Sequence, residues 1–240
     1  MMHTENEMII TRINSFRTCF QVPFFFFIAG LLFSYTYRDD RDWKKWCIDK
    51  IVKLYVPYFI LCSLAFFPKR IYYALINANV ELSYKTFLVS LIKPVDSMWG
   101  HLWFIPVYLI MMFLLMMYWR FIKNKAAHVL VLCVSALETI FPIKCEWLGV
   151  RDICIEMFWL LLGAEMSNWI ISKTTTNKRT SSSLVLAITG VLLAIVLFKI
   201  RDTTNLFFII DQLIVKTITA IMIFAIFLMS VCISGGYFRT

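Results

Sequence analysis

Few residues of this chain are suited to acid–base or phosphate chemistry, and most of them sit at the edges of apolar runs. There are three histidines, His3, His101 and His128. An imidazole titrates near neutrality, so it can take a proton from an attacking hydroxyl. Lys50 and Lys53 open the run KIVKLYVPYF. Their spacing puts both ammonium groups on one face of a helix, where they suit a ligand's phosphates or lipid headgroups alike. Arg38 and Arg41 repeat the spacing one connector earlier, diluted by Asp39, Asp40 and Asp42. Glu138, Glu156, Glu165 and Asp211 fall inside apolar segments. A charge at the bilayer centre costs roughly 2.5–3.5 kcal/mol on insertion scales, so such groups face a cavity or a partner. Glu156 and Glu165 lie about 13 Å apart along a helix axis, too far for one carboxylate pair. Glu138 and Glu156 approach opposite sides of one outer loop. Asp211 is placed to pair with Lys216 across one to two turns.

The elements that must position these residues are membrane helices. The chain has 240 residues, 60% of them hydrophobic and only 16% charged, and the excess of apolar residues runs along most of its length. That pattern excludes a soluble head on a single anchor. A span needs about 20 mostly apolar residues. Seven segments qualify approximately: 18–37, 51–67, 98–119, 126–143, 152–172, 182–200 and 205–231. The fold class predicted is all-α, a polytopic transmembrane helix bundle of about seven spans. Residues 68–97 read as a loop with interfacial helices, because Asn77, Asn79, Glu81 and Lys85 interrupt their apolar patches. A further span there is the alternative.

The net charge of +9 comes from Lys and Arg between apolar segments. Topology and anionic headgroups account for it, and no nucleic acid is implied. The odd-numbered connectors are richer in Lys and Arg, which places them in the cytoplasm and the N-terminus outside. The seven cysteines are scattered without a CxxC, which argues against a metal cluster or a disulfide framework. No Walker A loop, GxGxxG or GxSxG occurs, and no GxxxG.

The run PFFFFIAGLLF (Pro23 to Phe33) resembles the PxFFFxSGxLF signature of a helix in the integral-membrane acyltransferase 3 family. KIVKLYVPYF (Lys50 to Phe59) is similar to that family's basic-x-x-basic-Leu-x-x-Pro-Tyr segment. GHLWFIPVYLI (Gly100 to Ile110) is similar to its His-Leu-Trp-Phe-Leu segment, and FWLLLGAEMS (Phe158 to Ser167) more distantly to a later Leu-Gly helix. The four occur in the family's order. The resemblance covers roughly residues 1–170 and continues beyond them only as hydropathy.

The resemblance implies O-acyl transfer from a cytoplasmic acyl-CoA, most often acetyl-CoA, to a hydroxyl of a surface glycan. His3 stands where the family has its catalytic base. Lys50 and Lys53, with Arg41 behind them, stand where CoA phosphates would be held. His101 and Trp103, with Glu138 and Glu156, are the residues expected to meet the acceptor; for His101 the other reading is an aromatic interfacial belt with Trp99 and Trp103. No metal is implied. The partners expected are the lipid bilayer and a glycan or other hydroxyl acceptor, in a multi-pass cell-membrane protein, the bacterial inner membrane on the family pattern. There are departures. No Arg precedes His3 at helical distance, Ala29 replaces a small hydroxyl residue, and lysines replace the family's arginines. These lead to the expectation of a single domain lacking a first helix and C-terminal helices of the family. Two readings stand beside the enzyme: a lipid or glycan transporter or flippase-like protein, and an inactive remnant.

Overall fold

The structure is a computed structural model. It describes residues 2–37, 42–76, 85, 87–89, 103–141, 143–145, 147–176, 181–204 and 207–237. Within these, the side chains of 2–13, 15, 17–18, 74, 168–176, 181–183 and 230–237 are not described. Among the described residues there are eight α-helices. They are α1 (Met2–Thr36), α2 (Trp43–Lys50), α3 (Val56–Leu75), α4 (Phe104–Phe121), α5 (Lys125–Ile140), α6 (Val150–Thr176), α7 (Ser181–Thr203) and α8 (Phe208–Tyr237). A π turn, Ile51–Tyr55, joins α2 to α3 without a break. The all-α membrane bundle read from the sequence is the observed class.

Among the described residues, five stretches are long and apolar enough to cross a bilayer: Cys19–Thr36, Trp43–Tyr73, Phe104–Phe121, Leu184–Thr203 and Phe208–Met229. The other two expected spans are helices as well. At 16 residues α5 is about 24 Å long, less than the ~30 Å hydrocarbon core. α6, 27 residues long, covers the expected span 152–172, and its end, 168–176, lies outside the residues whose side chains are described. The second span also begins earlier than expected. WKKWCIDK is helix rather than loop, because Asp42 caps it: its carboxylate accepts the Lys44 N–H at 2.9 Å. In the 68–97 region, α3 continues over Pro68 to Leu75 and residues 87–89 are helical. Phe87 packs its ring on Phe66 and Phe59 of α3, at 5.4 and 6.3 Å. The remainder of that loop lies outside the described residues.

The chain divides into two compact units, 1–36 with 159–240, and 37–158. In the first unit, the phenylalanine run of α1 splits by helical phase. Phe26, Phe27, Gly30 and Phe33 are buried, while Phe25, Ile28 and Leu32 are exposed on the opposite side. The buried side crosses α6 at a pair of glycines. A Cβ on Gly30 would fall on the carbonyl oxygen of Leu160, and a Cβ on Gly163 on that of Phe27. Neither neighbour is a side chain that could turn aside. One glycine on each helix thus does what a GxxxG pair does on one. The quoted runs PFFFFIAGLLF and FWLLLGAEMS are the two sides of this crossing.

The first unit also contains the α7–α8 hairpin. Ala194, Ile218 and Met222 form its core, with Phe16, Phe20 and Phe198 packed against it. The Phe16 ring meets Phe198 edge-on at 5.1 Å and Phe20 at 5.7 Å. Pro23 lies inside α1 and has no N–H for the carbonyl of Cys19, four residues back. An orphaned carbonyl is costly in lipid. Thr219 of α8, fully buried, supplies the missing donor: its hydroxyl lies 2.7 Å from Cys19 O, and 2.9 Å from Val215 O of its own helix. Thr219→Val is expected to cost about 0.6–1.7 kcal/mol, read as unfolding in bicelles. The same change in a Pro23→Ala background should cost little, because an alanine at that position restores the amide. Equal losses in both backgrounds would show that the carbonyl is not what Thr219 serves.

In the second unit α4 is the central helix, with Val107, Met111 and Leu115 fully buried. Asn124 caps α5 through its side chain, accepting the Ala126 N–H at 2.9 Å. The Thr139 hydroxyl near the end of α5 lies 3.0 Å from Ser135 O of its own helix and 3.2 Å from Ile155 O on α6.

Candidate functional site

The π turn Ile51–Tyr55 follows Lys50, contains Lys53 and runs into a proline. Pro57 has no N–H for the carbonyl of Lys53, and its ring would crowd that oxygen in an ordinary α turn. The backbone widens instead, and Val56 N–H bonds Ile51 O, five residues back. The extra width alters the expectation that the two lysines share one face, since the spacing rule for i and i+3 holds for an α-helix. Their surroundings differ accordingly. Lys50 is half-buried, its Nζ 5.5 Å above the centroid of the Trp46 ring. Lys53, inside the π turn, is exposed. Trp46 is buried and meets Phe113 of α4 edge-on at 6.1 Å. Lys44 stands 6.0 Å over the ring of Trp43, itself exposed. A basic and aromatic collar therefore surrounds the head of the α2–α3 helix.

Below that collar the second unit holds Tyr58, Cys62 and Phe66 on the buried side of α3. Among the described residues its buried polar side chains are Ser135, Thr139 and Glu156. Glu156 is only 7% exposed. Asp152, one turn earlier, lies in the first turn of α6, where the helix dipole favours a carboxylate. Its Oδ2 is buried and has no hydrogen-bond partner among the described residues. Glu138 is half-buried, next to the Thr139 that reaches α6. Hydropathy locates Glu138 and Glu156, but it gives no signal for Asp152, which stands at a helix end where a carboxylate is ordinary. Among the described residues no three His, Cys, Asp or Glu side chains converge.

Asp211 does not take Lys216 as its ion partner in the way the spacing suggests. Arg201, at the end of α7, grips it with two parallel bonds, Nε to Oδ1 at 2.5 Å and Nη2 to Oδ2 at 3.2 Å. A guanidinium across a helix hairpin outcompetes an ammonium on the same helix because its fork matches the carboxylate. The pair closes the α7–α8 hairpin, with Arg201 Nη1 4.0 Å from Cys19 Sγ.

His128 is a clasp for the α4–α5 turn. Its Nε2–H donates to Ile122 O at 2.8 Å, and its ring lies 4.7 Å from Tyr118 and 5.7 Å from Trp119. Trp103 is half-buried at the start of α4. The backbone of His3 is in α1, but its side chain lies outside the description. Arg41 and His101 lie outside the described residues.

Comparison with known families finds a match to the acyltransferase domain of the acyltransferase 3 type over residues 2–239. Comparisons with curated proteins and with solved structures find no match. The family match takes in the phenylalanine run, the lysine pair and the α7–α8 hairpin, which motif reading reaches only by hydropathy. The chain belongs to the acyltransferase 3 family and is a multi-pass membrane acyltransferase.

Proposed function

We propose that this acyltransferase moves an acyl group, acetyl first, from acyl-CoA to a hydroxyl of a cell-surface glycan. The observation that carries the donor half is the placement of Lys50 and Lys53 about a π turn at the head of a membrane helix. CoA is a polyanion at one end and an uncharged thioester at the other. Ammonium groups meet phosphates as point charges, and the thioester arm suits the apolar interior beyond them. In this reading Arg41 adds charge beside the pair. His3 takes the proton of the acceptor hydroxyl as its oxygen attacks the thioester carbonyl, and the CoA thiolate leaves. His101, Trp103, Glu138 and Glu156 hold the acceptor. The basic connectors face the cytoplasm, where acyl-CoA is found, in the cell membrane of a bacterium.

The test is label transfer. Membranes containing the chain are given radiolabelled acetyl-CoA and a glycan acceptor, against membranes without it. Label is expected on the glycan. Lys50→Ala with Lys53→Ala is expected to raise KM for acetyl-CoA about ten- to a hundredfold with kcat little changed. An unmoved KM would remove the pair from the donor site. Glycan crossing the bilayer without acquiring label would favour the transporter reading.

A further inference from the structure

We infer that Trp46 is a positioning residue for the acyl donor: it fixes Lys50 so that one ammonium group is set in place before the donor's phosphates arrive. The inference rests on the reading that the lysine pair meets those phosphates. Lysine is a flexible stem, and binding normally costs it that freedom. Here Lys50 Nζ stands 5.5 Å over the indole centroid, within cation–π range. The indole cannot follow a moving lysine, because it is buried and braced edge-on by Phe113 at 6.1 Å. An ammonium has three N–H donors, so one side can rest on the ring while another meets a phosphate oxygen.

The neighbouring pairs show why Trp46 is singled out. Lys44 lies over Trp43, but Trp43 is exposed and no bracing ring accompanies it among the described residues. Lys53 sits in the π turn and is exposed. The donor collar is therefore asymmetric, with one cation pre-set on a ring and one able to adjust to the ligand. The asymmetry lies in the sequence: Trp46 stands four residues before Lys50 in α2, the spacing at which helix side chains meet, whereas Asp49 stands four residues before Lys53.

The full chain in nanodiscs of phosphatidylcholine, which offers no anionic headgroup to compete, is titrated with coenzyme A by calorimetry. Trp46→Leu is expected to weaken binding about three- to tenfold. Trp46→Phe keeps a ring face and should recover part of the loss, and it serves as the readout if the leucine variant does not fold. In a Lys50→Ala background Trp46→Leu should add less than about twofold. Equal weakening in both backgrounds would assign Trp46 to packing alone and overturn the inference. Unchanged affinity in both Trp46→Leu and Trp46→Phe would overturn it as well. If Lys50→Ala itself left coenzyme A binding unchanged, the donor reading of the lysine would fall, and the role of Trp46 with it.

Discussion

Replacing His3 by alanine is expected to lower acyl transfer by roughly 10²–10⁴-fold, the usual share of a general base, with KM for acetyl-CoA unchanged. A sugar hydroxyl is a poor nucleophile until its proton has somewhere to go, and an imidazole accepts that proton near neutral pH. The lysines would bind the donor whether or not the base is present, so the loss should fall on kcat. Label transfer, normalised to protein in the membrane, measures it. Activity retained within about tenfold would remove His3 from the mechanism. His128 serves as the control. His128 is committed to Ile122 O and to two aromatic rings, so His128→Ala should loosen the α4–α5 turn without a comparable loss of kcat.

The largest stability effect is expected at the α1–α6 crossing. Gly163→Ala places a methyl on the carbonyl oxygen of Phe27, and Gly30→Ala places one on that of Leu160. Backbone cannot yield as a side chain does, so the helices must part, and each change should cost about 2–3 kcal/mol. Parting them would loosen Phe26, Phe27, Leu160 and Leu161, all buried. Gly190→Ala on α7 is the control of opposite sign. Its Cβ would meet Ile221 and Ala225 at 3.5 and 3.6 Å, ordinary contact. It should stabilise by about 0.5–1 kcal/mol, because alanine loses less freedom in a helix than glycine. Unfolding in mixed micelles ranks the three variants. Stability of Gly163→Ala equal to that of Gly190→Ala would mean that the crossing is not close-packed.

Hydropathy is enough to place the helices, because in lipid every spanning segment must bond its backbone internally and be apolar over most of its length. It fails where polar groups are accommodated by tertiary structure. WKKWCIDK reads as a charged connector, and it is helix because Asp42 caps it and Trp46 packs on Phe113. The lysine pair is legible as a pair. Its geometry is not read from spacing alone, although a signal is present: Pro57, four residues after Lys53, leaves that carbonyl without its usual helical donor. Pro23 carries the same kind of signal, a carbonyl at Cys19 in need of a donor. Spacing rules within one helix cannot name Thr219, 200 residues away, as that donor. The same limit explains Asp211. Local spacing offers Lys216, while the hairpin brings Arg201 with better geometry.

The bond from Thr219 to Cys19 has a consequence for how the protein is made. α1 leaves the ribosome early with one carbonyl that its own proline prevents it from bonding. At about 5–20 residues per second of translation, the donor on α8 follows roughly 10–40 s later. Through that interval the carbonyl needs another donor, from water, the insertion machinery or a chaperone. Docking of α8 supplies the donor, so a chain that stalls before Thr219 is synthesised leaves that carbonyl without it.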